Sequence, residues 1–175
     1  MVHVRVLVPV TSTVRKPEDL AALAKEGITL SSAFIAEGPP SIESRFDEVF
    51  CVPGLIALAL EAERDGVDAL VIDCMGDPGL APVREAVAIP VLGVAQTAMA
   101  VAALFAQRFG VVTVLDRTTT MINELVDIYG HRDHYVGCRP VGIPVLQIHD
   151  DMARLQAELA QAALWLVEQK EAAAI

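Results

Sequence analysis

The chain has 175 residues, enough for one ordinary domain or two small lobes around a buried core. Apolar residues make up 54% and charged residues 21%, which excludes a disordered chain. A formal charge of −10 and an isoelectric point near 4.7 oppose binding to nucleic acid or to anionic membranes.

The opening "MVHVRVLVPV" is interrupted by His3 and Arg5, so it does not read as the apolar centre of a signal peptide. Residues 91–106 form the longest apolar tract, but they include Gln96 and Thr97 and fall short of the ~20 residues a spanning helix needs. Cys51, Cys74 and Cys138 make no even-numbered framework, which fits free thiols in a reducing cytosol. The expectation is a cytoplasmic protein.

Strand-like and helix-like runs alternate along the chain. Residues 2–10 are rich in Val and read as a first strand. Residues 17–26 read as a helix with Gly27 just past its end. A second strand covers 28–36 and stops at Gly38-Pro39-Pro40. Residues 42–65 are mainly helical, with a break expected near Pro53-Gly54 and with Leu55, Leu58 and Ala62 on one face. The third strand is 68–73, followed by a helix over 78–87. A fourth strand spans 89–95, a helix 97–107, and a fifth strand 110–115. Then come a helix over 118–129, an extended "PVGIPVLQI" and a long helix over 150–168. Such alternation, with continuous apolar strands, predicts an α/β fold with a parallel sheet covered on both faces. The lobes divide as 1–96 and 97–175, and the closing "AAAI" stands where another strand is expected.

Residues 68–80, "DALVIDCMGDPGL", place a thiol at the tip of the third strand. Ligands of parallel α/β sheets bind beyond the carboxyl ends of the strands. Asp77 and Pro78 read as N-cap and first helical residue, which would put Cys74 beside a helix N-terminus and lower its pKa. Asp73 and Asp77 act in the opposite direction. Free Cys is also a common buried residue that packs as a small hydrophobe, so spacing alone leaves both readings open.

The stretches "VRVLVPVTS", "GVDALVIDCMGDPGL", "IPVLGVAQTAM", "FGVVTVLDRTTTMINELVDIYG" and "CRPVGIPVL" resemble, in this order, the Asp/Glu/hydantoin racemase superfamily. The chain looks most like its hydantoin and allantoin racemase branch, over essentially its whole length. The resemblance implies two pseudo-symmetric α/β lobes with the active site between them. It also implies racemisation without cofactor or metal, by two cysteines that work on opposite faces of an acidic carbon. Cys74 matches the first-lobe cysteine. The family's second cysteine lies in a motif on the strand after the long helix, and Ile175 falls just before it, so the second lobe reads as incomplete. Cys138, ahead of "RPVGIPVL", does not match that position. Many members also have Asn after the first-strand proline, where this chain has Pro9-Val10-Thr11-Ser12.

The substrate implied is a small hydantoin, allantoin or amino-acid-like molecule. Backbone N–H groups of Met75 and Gly76 would hold a developing enolate oxygen. Pro9, Thr11 and Ser12 would rim the cleft, the hydroxyls either bonding substrate or capping the helix region at Pro17 or facing solvent, and Asp77 belongs to the loop of Met75 and Gly76. Gln96 and Thr97 either contact substrate or begin a helix; Thr113 and Thr118 resemble the family's Thr-containing loop after the fifth strand, where a hydroxyl would face the ligand, and Thr118 is equally a candidate helix cap. His131, Asp133 and His134 have near-ligand spacing without a third donor, so no metal site is expected. His149 is either a loop histidine or a substitute base. The rival readings are a one-thiol decarboxylase or isomerase on this fold, and an inactive ligand-binding protein. An incomplete lobe would expose apolar surface, which predicts a homo-oligomer.

Overall fold

Val at positions 2, 4, 6 and 8 alternates with His3, Arg5 and Leu7, and this segment forms the strand β1 (Val2–Val8). The computed structural model describes residues 1–12, 20, 23 and 25–175. The helix expected over 17–26 falls mostly outside them, although Gly27 does take a positive φ of 82°. The chain divides into two compact units, Met1–Val94 and Ala95–Ile175, and the division expected after residue 96 falls within a helix.

The first unit is a four-stranded parallel sheet in the order β2-β1-β3-β4, with β2 Ile28–Phe34, β3 Ala69–Ile72 and β4 Val91–Gly93. Register aligns Val8 with Phe34, Leu7 with Ile72 and Ile72 with Gly93, so the carboxyl ends share one edge. Helix α1 (Arg45–Arg64) covers the sheet and α2 (Leu80–Ala86) follows β3. Ser44 caps α1 by accepting from the Asp47 N–H at 3.3 Å, and Asp47, Glu48 and Arg64 complement the helix dipole.

The break expected at Pro53 does not occur, and α1 runs through it. Proline removes one N–H, but Val49, whose carbonyl that N–H would engage, is exposed, and packing outweighs local propensity. The buried face is Cys51, Leu55, Ala59 and Ala62, spaced as one helical stripe, while Leu58 is only half-buried. Leu7, Val8, Leu70 and Ile72 supply the buried sheet residues.

In the second unit, β5 (Phe109–Thr113) pairs in parallel with β6 (Tyr135–Pro140). Around them lie α3 (Val94–Phe105, continuing from the first unit), α4 (Asp116–Ile128) and α5 (Met152–Lys170). Ala95, Met99, Phe109, Ile122, Leu125 and Val126 form one core cluster. Ala174 bridges to Phe109 in parallel, and the Gly110 N–H donates to the Ala174 carbonyl at 2.9 Å.

Two further expectations are corrected here. The extended run expected over "PVGIPVLQI" does not continue to its end: β6 ends at Pro140, Gly142 turns at φ 72°, and Val145–Gln147 is a 3-10 turn. Pro140 and Pro144 lack the N–H a ladder needs, and the half-buried Tyr135–Pro140 carries no long apolar run to announce it. Helix α3 also starts earlier than residue 97, because Ala95 and Met99 lie one turn apart and both enter the core. Among the described residues no helix is long and apolar enough to cross a membrane.

Candidate active site

Strand β3 delivers Asp73 and Cys74 to the carboxyl edge of the first sheet. The Asp73 N–H still donates to Leu7 at 3.0 Å, and the Cys74 N–H folds back to Ile72 at 3.1 Å. The Gly76 N–H points at the Cys74 sulfur, with N to Sγ at 3.4 Å. The loop closes when the Asp77 N–H donates to the Cys74 carbonyl at 3.0 Å. Met75 is 39% exposed, so this loop presents surface to solvent.

The helix-terminus account of Cys74 is overturned. Asp77 is not an N-cap: α2 begins at Leu80, Gly79 holds the cap position at φ 66°, and no side chain caps the helix. Asp77 instead has φ 45° and is buried, with its carboxylate over Gly93. Burial therefore dominates the thiol and pushes its pKa up to about 12. The Gly76 N–H opposes this, while the charges of Glu48, Asp77 and Asp73 add to it. A short helix with no capping side chain offers too little to reverse desolvation.

Glu48 gives no signal in the sequence. It stands in the first turn of α1, paired to Arg45 at 2.7 Å, and its charge acts on both Cys74 and Cys51. Cys51 is fully buried and donates to the Glu48 carbonyl at 3.2 Å; burial raises its pKa to about 12. No spacing rule links positions 48 and 74, and only the fold brings their charges together.

The loop after β1 lies beside the β3 tip through the Leu7–Ile72 pairing. Pro9 is fully buried, so it shapes the edge without facing solvent. Thr11 is exposed, with its N–H and hydroxyl directed to the Pro39 carbonyl at 3.0 and 3.4 Å. The Ser12 Oγ is buried and has no hydrogen-bond partner among the described residues.

Within the second unit, Gln96 and Thr97 sit in the first turn of α3, so Thr97 is not a cap. Thr118 is buried and its hydroxyl is fully occupied. It meets Thr113 Oγ1 at 2.7 Å, donates to the Leu115 carbonyl at 2.7 Å and accepts from the Leu115 N–H at 3.3 Å. It therefore secures the start of α4. His131 is edge-on to Phe109, His134 Nδ1 lies 3.0 Å from the Gln107 carbonyl, and His149 is exposed. Cys138 in β6 interacts with Thr119 and Tyr135, and burial lifts its pKa to about 11. Among the described residues no cluster of His, Cys, Asp and Glu is arranged to hold a metal ion.

A groove of about 990 Å³ runs along the outside of α1, lined by Phe34, Phe46, Phe50, Pro53, Ala57 and Glu61 among others. It includes neither Cys74 nor its loop. The groove and the thiol loop are therefore different places on the first unit.

A thiol and a backbone N–H stand at the tip of a parallel α/β sheet, which defines a cysteine-bearing α/β protein. The Asp/Glu/Hydantoin racemase family matches residues 11–175, and the chain belongs to it. It is 42% identical over 138 residues to a hydantoin racemase of Pseudomonas sp. (strain NS671), covering 79% of this chain and 55% of that protein. It is 39% identical over 137 residues to a hydantoin racemase of Rhizobium meliloti, covering 78% of this chain and 57% of that protein. The chain thus spans little more than half the length of these relatives. The solved allantoin racemase from Klebsiella pneumoniae superposes with a TM-score of 0.92 at 31% identity, over 97% of this chain and 71% of that one. Unliganded arylmalonate decarboxylase shares the fold, with a TM-score of 0.64 at 17% identity over 98% of this chain and 74% of that one.

Proposed function

We propose that the protein is a cofactor-independent racemase acting on a small cyclic ureide with an acidic C–H, such as a hydantoin or allantoin. Cys74 is one of its two proton-transfer groups. The observation that carries this reading is the Gly76 N–H directed at the Cys74 sulfur on an open loop at the sheet's carboxyl edge. The raised pKa keeps the thiol protonated in the resting protein, so Cys74 begins as the acid that delivers a proton to one face. The resulting thiolate accepts the Gly76 N–H, which favours it once formed. A second group removes the proton from the opposite face. Cys51 is not that group, because it is fully buried in α1.

Substrate contacts are assigned to the loops after β1 and β3. Ser12, with a buried hydroxyl that lacks a partner among the described residues, is the most telling of them, because a ligand acceptor would satisfy it. Thr11, Met75 and Gly76 complete this set, with Pro9 shaping the edge. A homo-oligomer is part of the same proposal, motivated by Phe46 and Phe105 at 70% and 87% exposure. A cytoplasmic setting accords with three free thiols.

The second reading is one-sided protonation. Of the two cysteines in the first unit only Cys74 has exposed surface, and a single thiol suffices to protonate a carbanion left by loss of CO2. Both readings are tested in D2O with a 5-substituted hydantoin, after subtracting background racemisation. The racemase reading expects uptake of deuterium at the acidic carbon and its loss in Cys74→Ser, since a hydroxyl is a far weaker acid and base. Wild-type levels of exchange in Cys74→Ser would remove Cys74 from the chemistry. Absence of exchange together with release of CO2 from an arylmalonate would establish the second reading instead.

A further inference from the structure

Asp77 has three features that a ligand-facing side chain has no use for. It is only 5% exposed. Its φ of 45° lies in the left-handed region, which residues with a Cβ enter reluctantly and Asp and Asn least so. Its carboxylate also fills the space over Gly93: a methyl group there would fall on Oδ2, 2.5 Å from Cγ and 2.7 Å from Oδ1. Any other residue at 93 would have to expel the carboxylate.

The backbone of Asp77 is committed as well. Its N–H holds the Cys74 carbonyl and its own carbonyl accepts from Leu80 at 3.2 Å, so the chain turns from the thiol into α2 at this residue. Gly93 pairs with Ile72, two positions before Cys74 on the neighbouring strand. We propose that Asp77 is a positioning residue for the thiol: its buried carboxylate, seated on the backbone of Gly93, ties the Cys74 loop to the end of β4. This replaces the substrate contact expected of Asp77, and it rests on the reading of Cys74 as a proton-transfer group.

The position has an electrostatic consequence. The groups that face Cys74 are Glu48 and Cys51 from α1, and Asp73 and Asp77 from the loop itself. Glu48, Asp77 and Asp73 carry the charges that favour the protonated thiol, while Cys51, with its own pKa near 12, stays neutral beside it. Asp77 thus fixes the sulfur in place and helps keep the proton on it.

Three substitutions test this. Asp77→Asn keeps the shape and the tolerance of positive φ but deletes the charge. Asp77→Gly deletes the carboxylate and keeps the backbone freedom, and Gly93→Ala places a methyl where the carboxylate sits. The readouts are the pH profile of Cys74 alkylation by mass spectrometry, with Cys138 as internal reference, and the melting temperature. Asp77→Asn should speed Cys74 alkylation about threefold to tenfold at fixed pH, because losing a nearby carboxylate lowers the thiol pKa, and leave Cys138 unchanged. Gly93→Ala should lower Tm when Asp77 is present and have little effect in the Asp77→Gly background. An unchanged Cys74 profile in Asp77→Asn, or additive effects of Asp77→Gly and Gly93→Ala, would overturn the proposal. If these thiol and coupling results hold while the wild-type chain exchanges no substrate proton, the proposed reaction fails and the placement of Asp77 stands.

Discussion

The side chain of Ile35 lies against the α-carbon of Gly54, with Ile35 Cγ2 and Cβ at 2.8 and 2.9 Å from the place a methyl would take. This contact lets α1 approach the end of β2 closely and explains why a glycine interrupts an otherwise good helix former. Gly54→Ala should therefore destabilise the protein by about 1–3 kcal/mol, the range for overpacking, although alanine would gain about 1 kcal/mol in an exposed helix. Urea unfolding decides the sign. A more stable Gly54→Ala would show that Ile35 gives way.

Thr118 supports α4 through three polar contacts made by one buried hydroxyl. Thr118→Val keeps the volume and strands the Thr113 hydroxyl and the Leu115 N–H, at a cost of about 1–3 kcal/mol. Thr118→Ser should recover most of the loss. Equal stability of the Val and Ser variants, measured by thermal unfolding, would mean the hydroxyl does not secure the helix.

Cys51 predicts a pH dependence whose sign is fixed by its burial. Its folded pKa of about 12 lies above the value of about 8.5 expected in the unfolded chain. Below the unfolded value both states keep the proton and the full stability is present. As pH rises from there toward 12, the unfolded thiol ionises, the folded one does not, and stability falls. Cys51→Ala should lower stability at pH 7 through the cavity it leaves, and should lose stability less steeply than wild type between about pH 8.5 and 10.5. Parallel slopes for the two proteins would contradict the burial argument.

The fold was legible wherever an apolar run ended in a turn signal. Strands β1, β2 and β3 and helix α5 follow Val-rich or periodic segments bounded by Gly, Pro or an Asp cap, as at Asp151, which accepts from the Arg154 N–H at 2.9 Å. Failures came where tertiary packing decides. Pro53 stays inside α1 because the Cys51–Leu55–Ala59–Ala62 face is buried, and Ala95 joins α3 because the core takes it. The position of Cys74 could be read from the strand tip and the family pattern. Its electrostatics could not, because desolvation and the charge on Glu48 depend on which elements pack around the loop. Asp77-Pro78 has the form of a helix start, yet the space over Gly93 takes the carboxylate and moves the cap to Gly79.

Glu48 provides the sharpest separation of charge from position. Among the charges acting on Cys74 it has the largest effect, ahead of Asp77 and Asp73, and it reaches the thiol from another element, so removing it leaves the loop's own hydrogen bonds in place. Glu48→Gln should lower the pKa of both Cys74 and Cys51, since a nearby carboxylate opposes ionisation of each. The bridge to Arg45 is also lost, but Arg45 is 44% exposed, so that loss contributes at most about 1 kcal/mol. Alkylation followed from pH 7 to 10 should show the Cys74 curve displaced to lower pH and the Cys138 curve unchanged, because Cys138 does not count Glu48 among its influences. Cys51 should stay slow at every pH in this range, because its sulfur has no exposure through which a reagent could reach it. A displaced Cys138 curve would mean the substitution has loosened the whole chain. An unmoved Cys74 curve would mean that desolvation and the loop carboxylates of Asp77 and Asp73 hold the proton on the sulfur without Glu48.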